Sequence, residues 1–294
     1  MYQLCYEKAI IPTVKSEDIP VDFISDIDEL MQANSVILRC LRTFNHIKYI
    51  ESAYDDFLSF KKTVTHPAIE TDIELEVKAR SFFLEFEIFL DHWKKYMSRR
   101  GKKEEFKPVF DKATHDAFDS SDDYAMATML RNYIAHNSEV IQGKFWGGQG
   151  TCDVGSSMDL LLSDPSFSKT KKEIIKRQPA QFISLTPVMR GGLEKLREIH
   201  KIFMDFDFSE EDVDAAKVVN EAITAIKDAG LESRHFRFVN SEKSVVSTYT
   251  AEGKPIETVW ATEYHDFNWQ DYEEVLQYLL NEYGPNNYEQ SLLK

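Results

Sequence analysis

The sequence predicts a mainly α-helical protein, with a helical bundle over residues 1–207 followed by a small α+β unit with a β-hairpin over residues 208–294. Three observations support this fold class. Only 11 Gly and 9 Pro occur among 294 residues, so long linkers and disorder are disfavoured. Apolar residues recur at helical spacing through most of the chain. Near the C-terminus this spacing is lost, and β-branched and aromatic residues become frequent.

The first part of the chain predicts a series of helices. Residues 24–63 contain few helix breakers and have apolar residues near helical spacing, so one or two helices are expected. The clearest helix is predicted over residues 71–100, where an aromatic-rich stripe follows the i, i+3, i+4 pattern of a buried helix face. Thr71 and Asp72 are suited to cap its start, and Gly101 is suited to end it.

A second strong helix is predicted over residues 121–141. Ser120, with Asp123 three residues later, resembles a capping box in which Asp replaces the usual Glu or Gln. We expect this helix to pack antiparallel to the helix over residues 71–100. The next segment, 143–155, holds five glycines and is predicted to be a loop, because it lacks the P-loop and dinucleotide-binding patterns.

Two further helices are predicted around the boundary between the two domains. Residues 187–206 have a helical apolar pattern after Gly191 and Gly192. Residues 209–228 begin with Ser209, a residue type that often opens a helix. We therefore expect helical structure on both sides of the boundary.

The C-terminal part predicts a change to β-structure. Residues 235–250 and 254–264 are rich in β-branched and aromatic residues, with the sequence Ala-Glu-Gly between them. This pattern predicts two or three strands, largely linked by hairpins. A last helix is predicted over about residues 269–282, which completes the small α+β unit.

Composition and charge exclude several classes of protein. The formal net charge of −15 repels polyanions, so DNA binding is not expected. No apolar run reaches the roughly 18 residues of a membrane helix, and the first residues lack the pattern of a signal peptide. The three widely spaced cysteines favour a reducing compartment over a disulfide framework. We therefore expect a cytoplasmic protein that does not bind membranes.

The residues suited to chemistry lie on one side of the predicted helix over residues 121–141. At about 100° per residue, most of its apolar residues share one broad face. The opposite, polar face carries Arg131, Asn132 and His136. Asn132 and His136 are four residues apart and therefore adjacent on the helix surface. The helix thus offers one face to its own core and one face to another molecule.

Each residue type on that polar face suits phosphate-ester chemistry. Arg131 can bind phosphate oxygens with two N–H groups, His136 can transfer protons near neutral pH, and Asn132 can orient either group. RNA supplies its own nucleophile, the 2′-hydroxyl, so no metal ion or cofactor is required. The other histidines form no metal-binding motif. A two-fold pair of such helices would supply two Arg and two His.

The nine residues 129–137 resemble the last long helix of the HEPN superfamily, the higher-eukaryote and prokaryote nucleotide-binding domains. Arg131, four intervening residues and His136 match its Rx4-6H motif, and Asn132 matches the polar residue that often follows the Arg. The resemblance covers residues 20–145. It implies a HEPN-like helical bundle that dimerises about its motif helices. In many members this homodimer forms a composite, metal-independent endoribonuclease site, often in phage defence or toxin–antitoxin systems.

The resemblance also implies supporting residues and partners. The helix over residues 71–100 looks like the partner helix of the HEPN domain, which often carries an acidic residue. Glu87, or else Glu85 or Asp91, is therefore expected to orient Arg131. RNA is the expected substrate, and an antitoxin or another regulatory protein is an expected partner.

Other interpretations of the same residues stay open. Arg131 and His136 can be structural, with the Arg paired to a carboxylate and the His hydrogen-bonded at a helix end. The bundle can also act without catalysis, as an interaction protein or as a regulatory module that binds a nucleotide.

Overall fold

The structure is a computed structural model that describes residues 2–6, 19–20, 26–65, 68–136, 139–146, 152–178, 181–228, 235–240, 245–249, 255–260, 263–269 and 271–282. The described chain is mainly helical, with a small C-terminal α+β unit, which confirms the predicted fold class. Its packing forms two compact units, Asn45–Asp207 and Met1–Phe44 with Phe208–Lys294. None of the described helices is long and apolar enough to cross a membrane.

The elements are numbered in chain order. The helices are α1 (Ile27–Phe44), α2 (Lys48–Thr63), α3 (Ile69–Arg99), α4 (Lys103–Ser120), α5 (Asp122–His136), α6 (Met158–Ser163), α7 (Lys169–Lys176), α8 (Leu185–Asp207), α9 (Glu210–Asp228) and α10 (Glu273–Glu282). The strands are β1 (Tyr2–Tyr6), β2 (Ile19–Pro20), β3 (Gly143–Trp146), β4 (Cys152–Ser157), β5 (Phe182–Ser184), β6 (His235–Asn240), β7 (Val245–Tyr249), β8 (Pro255–Trp260) and β9 (Glu263–Asn268). A 3-10 turn, Asn45–Ile47, precedes α2.

The long helix α3 runs through the core of the unit Asn45–Asp207. Its buried residues form the stripe that the sequence predicts, namely Leu75, Ala79, Phe82, Phe83, Phe86, Phe89, Leu90, Trp93 and Met97. The helix ends as predicted at Gly101, whose φ of 73° favours glycine. A Schellman motif closes it, because the N–H of Gly101 donates to Ser98 and the N–H of Lys102 donates to Met97.

The start of α3 differs slightly from the prediction. The helix begins at Ile69, and Ala68 occupies the N-cap position without a side-chain cap. Thr71 and Asp72 therefore lie inside the first turn and do not cap it. The Thr71 hydroxyl donates to the carbonyl oxygen of Ala68 instead, at 2.7 Å.

The connection between α3 and α5 is itself a helix, α4, which was not predicted from the sequence. After the reversal at Gly101, the rings of Trp93 and Phe106 lie 6.2 Å apart. Further along, the ring of Phe86 lies 5.4 Å from that of Tyr124 near the start of α5. From α5 onward the contacts move back along α3, from Phe86 beside Tyr124 to Glu76 beside Val140, so α5 runs antiparallel to α3, as expected.

Both ends of α5 differ from the predicted helix. The Ser121 hydroxyl accepts from the N–H of Tyr124 at 3.2 Å, so Ser121 is the cap and the predicted cap, Ser120, ends α4. At the other end, residues 139–142 are not helical. The backbone N–H groups of Val140 and Ile141 donate to the carboxylate of Glu76, at 2.9 and 2.8 Å. Those groups are therefore bound by a side chain of α3, and the predicted extension to residue 141 is wrong.

Helix α8 passes very close to α5 at a pair of glycines. Gly191 and Gly192 lie within α8, although the sequence predicted helix only after them. A Cβ atom on Gly191 would lie 2.5 Å from the Cβ of Asp123, and one on Gly192 would lie 2.9 Å from the Cβ of Ala127. The missing side chains therefore allow the two helices to approach closely.

Gly191→Ala is expected to destabilise the protein by about 1–3 kcal/mol, because the added methyl overpacks the contact with Asp123. Without that contact, the same change within a helix would stabilise by about 1 kcal/mol. Urea unfolding followed by circular dichroism measures the sign. Glu198→Ala, at an exposed position of α8, is the control and should change stability by less than about 0.5 kcal/mol. A more stable Gly191→Ala variant would contradict the close approach.

The predicted loop over residues 143–155 is wrong over most of its length. Strands β3, β4 and β5 form an antiparallel sheet in the order β3-β4-β5, and only residues 147–151 lie outside the described part of this segment. Gly155 has a structural role here, since a Cβ on it would lie 2.0 Å from the backbone oxygen of Ile183. A glycine in a strand can mark such a close backbone approach, which composition alone does not distinguish from a loop.

The second unit contains residues from both ends of the chain. The boundaries of the two units therefore differ from those of the expected domains, 1–207 and 208–294. Helix α1 packs on α9, where the guanidinium of Arg39 is paired with the buried carboxylate of Asp212. The Tyr272 hydroxyl donates to Asn34 at 2.7 Å. These partners are far apart in the sequence, and only tertiary packing brings them together.

Antiparallel strands complete this unit. One sheet has the order β2-β1-β6-β9, and β7 with β8 forms a separate hairpin. The sequence predicted two or three strands between residues 235 and 264, and the structure has four, β6 to β9. Strand β1, which was not predicted, pairs with β6. The last helix, α10, lies within the predicted range 269–282.

Three histidines of the unit Asn45–Asp207 lie close together. His46 is buried, its ring stacks on Phe89 at 5.4 Å, and its centroid lies 3.8 Å from that of His92. The ring of His200 lies 5.6 Å from Phe89. Burial first, and then the neighbouring His92 and His200, lower the pKa of His46 to about 4. His46 is therefore neutral in the folded protein at neutral pH.

Acid is expected to destabilise the protein through His46. The unfolded chain binds a proton near pH 6.5 and the folded chain only near pH 4, so stability is lost as the pH falls through this window. The loss should approach about 3 kcal/mol at pH 4. Urea unfolding at pH 7 and pH 4.5 measures it. His46→Gln should reduce the pH dependence, whereas His115→Gln, at an exposed site, should not. Equal pH dependence in all three proteins would contradict this role.

Candidate functional site

The helix that carries the sequence motif, α5, is enclosed on most sides. Its buried residues are Tyr124, Ala125, Met126, Ala127, Met129, Leu130 and Tyr133. The central residues that remain half-exposed include Thr128, Arg131 and Asn132. The predicted division into an apolar and a polar face is thus present, although the buried part is broader than one face.

Arg131 and Asn132 are held together by hydrogen bonds. The guanidinium donates to the carboxamide oxygen of Asn132 from Nη2 at 2.7 Å and from Nε at 3.2 Å. Two of the five guanidinium N–H groups are used in these bonds. The pair therefore presents a fixed, planar cation with N–H groups left for an anion such as a phosphate.

Tyr124 lies two turns before Arg131 on α5, close enough for the charge of Arg131 to act on it. Burial raises the pKa of Tyr124 to about 12, and the positive charge of Arg131 acts in the opposite direction. The phenol is therefore neutral at physiological pH. Thr128, between the two residues, donates its hydroxyl to the carbonyl oxygen of Tyr124 at 3.0 Å. Neither group competes with an anion for Arg131 by carrying a negative charge.

His136 is the last residue of α5. Its side chain lies outside the described part of the structure, so only its backbone position bears on the site. The spacing of four residues places it one turn beyond Asn132 on a neighbouring part of the helix surface.

The predicted supporting acids lie at other levels of α3. Phe86 of α3 lies beside Tyr124 of α5. Arg131 is seven residues further along α5. Because the two helices are antiparallel, Arg131 has about the same position along the helix axis as Ala79 of α3, which is called its level on α3. Glu87 is about 12 Å from that level along the helix axis, at 1.5 Å per residue. Glu85 and Asp91 are about 9 and 18 Å from it. Among the described residues, the structure records no hydrogen bond or ion pair between Arg131 and these three acids.

A different acid, Glu76, lies close to the end of α5. Besides the N–H groups of Val140 and Ile141, it binds Nε of Arg80 at 2.8 Å. The pair of Glu76 and Arg80, four residues apart on one helix, is visible in the sequence. The contacts of Glu76 with Val140 and Ile141, which are 64 and 65 positions away, are not visible there. Glu76 positions the segment after the motif and was missed by sequence reasoning.

A second polar cluster, which sequence reasoning also missed, joins α2 to the sheet of β3, β4 and β5. The Lys61 ammonium donates to Asp153 at 3.1 Å and to the Thr186 hydroxyl at 2.7 Å. The Ser184 hydroxyl donates to the same Asp153 oxygen at 2.9 Å. The donors and acceptors of this cluster are paired with one another, so the cluster stabilises the packing of α2 against the sheet.

Within the described residues, no group of three or more His, Cys, Asp and Glu side chains is arranged to hold a metal ion. The open side of α5, formed by Thr128, Arg131 and Asn132, carries one cation and two uncharged hydrogen-bonding groups.

Comparison of the chain with protein-family models, with curated proteins and with solved structures finds no match.

Proposed function

We propose that this chain is a HEPN-like, metal-independent endoribonuclease that acts as a homodimer. The observation that carries the proposal is the hydrogen-bonded pair of Arg131 and Asn132 on the open side of α5. A preorganised guanidinium suits a phosphodiester, whose negative charge grows during cleavage. Preorganisation matters because the site then needs no rearrangement when that charge develops.

The proposed reaction uses the 2′-hydroxyl of the RNA as nucleophile. His136 of one subunit takes the 2′-hydroxyl proton, the 2′-oxygen attacks the phosphorus, and the bond to the 5′-oxygen breaks. His136 of the partner subunit protonates that leaving oxygen. Arg131 stabilises the charge on the phosphoryl oxygens, and Asn132 holds Arg131 in place. The products are a 2′,3′-cyclic phosphate and a free 5′-hydroxyl.

The proposed setting is the cytoplasm, in phage defence or in a toxin–antitoxin system. An enzyme that cuts RNA inside its own cell needs a restraint, and an antitoxin or a regulatory protein would supply it. The strong negative charge of the chain favours a basic partner of this kind.

Cleavage of single-stranded RNA in EDTA tests the proposal. The purified protein should cut labelled RNA without a divalent cation, and it should leave DNA of the same sequence intact. An RNA with a single 2′-deoxy nucleotide at the mapped cleavage position is the matched control and should resist at that position only. Activity that EDTA abolishes would contradict the mechanism.

A second candidate function is a non-catalytic interaction protein or nucleotide-binding regulatory module with the same fold. The net charge of −15 favours the interaction protein in particular, because a field of that sign opposes the approach of RNA. Calorimetric titration separates the two candidates. A folded protein that binds a nucleotide or a partner through Arg131, and leaves varied RNAs uncut, would support the second.

A further inference from the structure

Helix α7 carries a positive charge that contrasts with the rest of the chain. Residues 169–177 contain five basic residues and one acidic residue, whereas the whole chain has a net charge of −15. Lys169, Lys172 and Lys176 share one side of the helix, within an arc of about 60° at 100° per residue. This side, named here the α7 lysine row, is exposed or half-exposed, while Ile174 and Ile175 are buried on another side.

Most of the charge near the start of α7 is not neutralised by nearby acids. Among the described residues, Lys169, Lys171 and Lys172 take part in no salt bridge, and Lys176 is bonded to Glu173 at 2.9 Å. A second basic segment, residues 94–103, differs in this respect, because four of its six basic residues are paired with acids. The α7 lysine row is therefore accessible to an external anion.

The position of these lysines is unfavourable for the helix that carries them. Helix α7 has no acidic residue in its first turn, and Lys169, Lys171 and Lys172 all lie within its first four residues. The backbone N–H groups at the start of a helix carry partial positive charge, so cations there destabilise the helix. Residues that oppose their own local structure in this way are typical of functional sites.

The α7 lysine row begins near the end of α5 that carries the motif. The ring of Phe167, just before α7, stacks on that of Tyr133 at a distance of 6.2 Å. Arg177, just after α7, pairs with Asp122 at the start of α5, at 3.3 Å. The two helices are therefore antiparallel, and Lys169 lies near the same end of α5 as Tyr133.

The row and Arg131 are separated by the surface of α5. At 100° per residue, Arg131 is about 160° from Tyr133, the residue that faces α7. Helix α8 covers the shorter way around α5 between them, at Ala127. The other way passes the positions of His136 and Asn132 on the helix wheel. A strand that contacts both the row and Arg131 therefore passes the motif residues on its way.

We infer that the α7 lysine row binds phosphates of the RNA strand that flank the scissile phosphate at Arg131. A lysine binds phosphate as a point charge and reads no base, so the row contributes affinity without sequence preference. A local positive surface also offsets the repulsion between RNA and a chain with a net charge of −15. This inference rests on the proposed function for the identity of the strand, but its test needs no cleavage.

Fluorescence anisotropy with a labelled, single-stranded 2′-O-methyl RNA tests the row. This probe keeps the phosphates and lacks the 2′-hydroxyl nucleophile, so it stays uncut. The double variant Lys169→Gln/Lys172→Gln of the full chain should bind it more weakly. The slope of log K against log salt should become shallower by about 1.4, at about 0.7 for each phosphate contact with a single strand.

The double variant Lys95→Gln/Arg99→Gln is the matched control. It also removes two charges, from exposed residues of α3 that take part in no salt bridge among the described residues, and it should keep the wild-type slope. Both double variants should keep the wild-type circular dichroism. An unfolded Lys169→Gln/Lys172→Gln variant, an equal change of slope in both variants, or no binding by the wild type at low salt overturns the inference.

Further outcomes separate this inference from the proposed function and from a membrane role. A wild type that binds the probe through the row but cuts no RNA upholds the inference and contradicts the proposed function. RNA cleavage with the same KM in the wild type and in Lys169→Gln/Lys172→Gln does the reverse. Binding through the row to vesicles of phosphatidylserine and phosphatidylcholine, without binding to the probe, overturns the inference in favour of a membrane surface.

Discussion

Arg131→Ala and His136→Ala are each expected to lower the rate of RNA cleavage at least about 10²-fold, the effect of removing a charge-stabilising group or a general acid–base group. The reason for Arg131 is its planar cation, which Asn132 holds in place from two nitrogens. Arg131→Lys keeps the charge but loses that geometry, so it should recover only part of the rate.

Arg197→Ala is the matched control for this loss. Arg197 pairs with Glu51 in the same unit, far from α5 in the sequence, and its removal should leave the rate unchanged. Circular dichroism should show that every variant keeps its helices, because Arg131 is half-exposed and outside the core. Unfolded Arg131→Ala and His136→Ala variants would instead indicate that these residues are structural. Folded variants with full activity would remove them from the mechanism.

Trp93→Ala is expected to lower the free energy of unfolding by about 3–5 kcal/mol. Trp93 is 1% exposed, and its ring lies 5.3 Å from Phe203 and 6.2 Å from Phe106. Truncation would leave a cavity where α3, α4 and α8 meet. Many small domains have a total stability of only about 5–15 kcal/mol, so this single change could unfold a large fraction of the protein.

Urea unfolding measures that change, with Tyr49→Ala as the control. Tyr49 is an aromatic residue of α2 that is 66% exposed, so its truncation should change stability by less than about 0.5 kcal/mol. Similar losses for the two variants would contradict the assignment of Trp93 to the core.

The helices with strong apolar stripes could be predicted from the sequence, and weaker ones could not. Helix α3 was placed within about two residues at its start because its aromatic stripe and Gly101 are both local signals. Helix α4 was missed because its buried face carries only two large residues, Phe106 and Phe110, with Pro108 between them. Its helical state depends on packing against the rings of α3, which no local pattern reports.

The candidate site shows the same limit. The position of Arg131 and Asn132 on the open side of a buried helix follows from spacing alone. The contact of Glu76 with Val140 and Ile141 depends on how far α3 and α5 overlap, and the missed helix α4 sets that overlap. Without knowledge of α4, the positions of Glu85, Glu87 and Asp91 along the helix axis relative to Arg131 could not be derived.

Identification of the chemical groups at the ends of the cleavage products tests the central claim most directly. RNA incubated with the purified protein in EDTA should yield fragments that end in a 2′,3′-cyclic phosphate or its hydrolysed 3′-phosphate, with a 5′-hydroxyl on the other fragment. Mass spectrometry distinguishes these termini whatever the sequence at which the RNA is cut. Fragments with a 5′-phosphate and a 3′-hydroxyl would show that water attacked the phosphorus, and they would contradict the proposed mechanism.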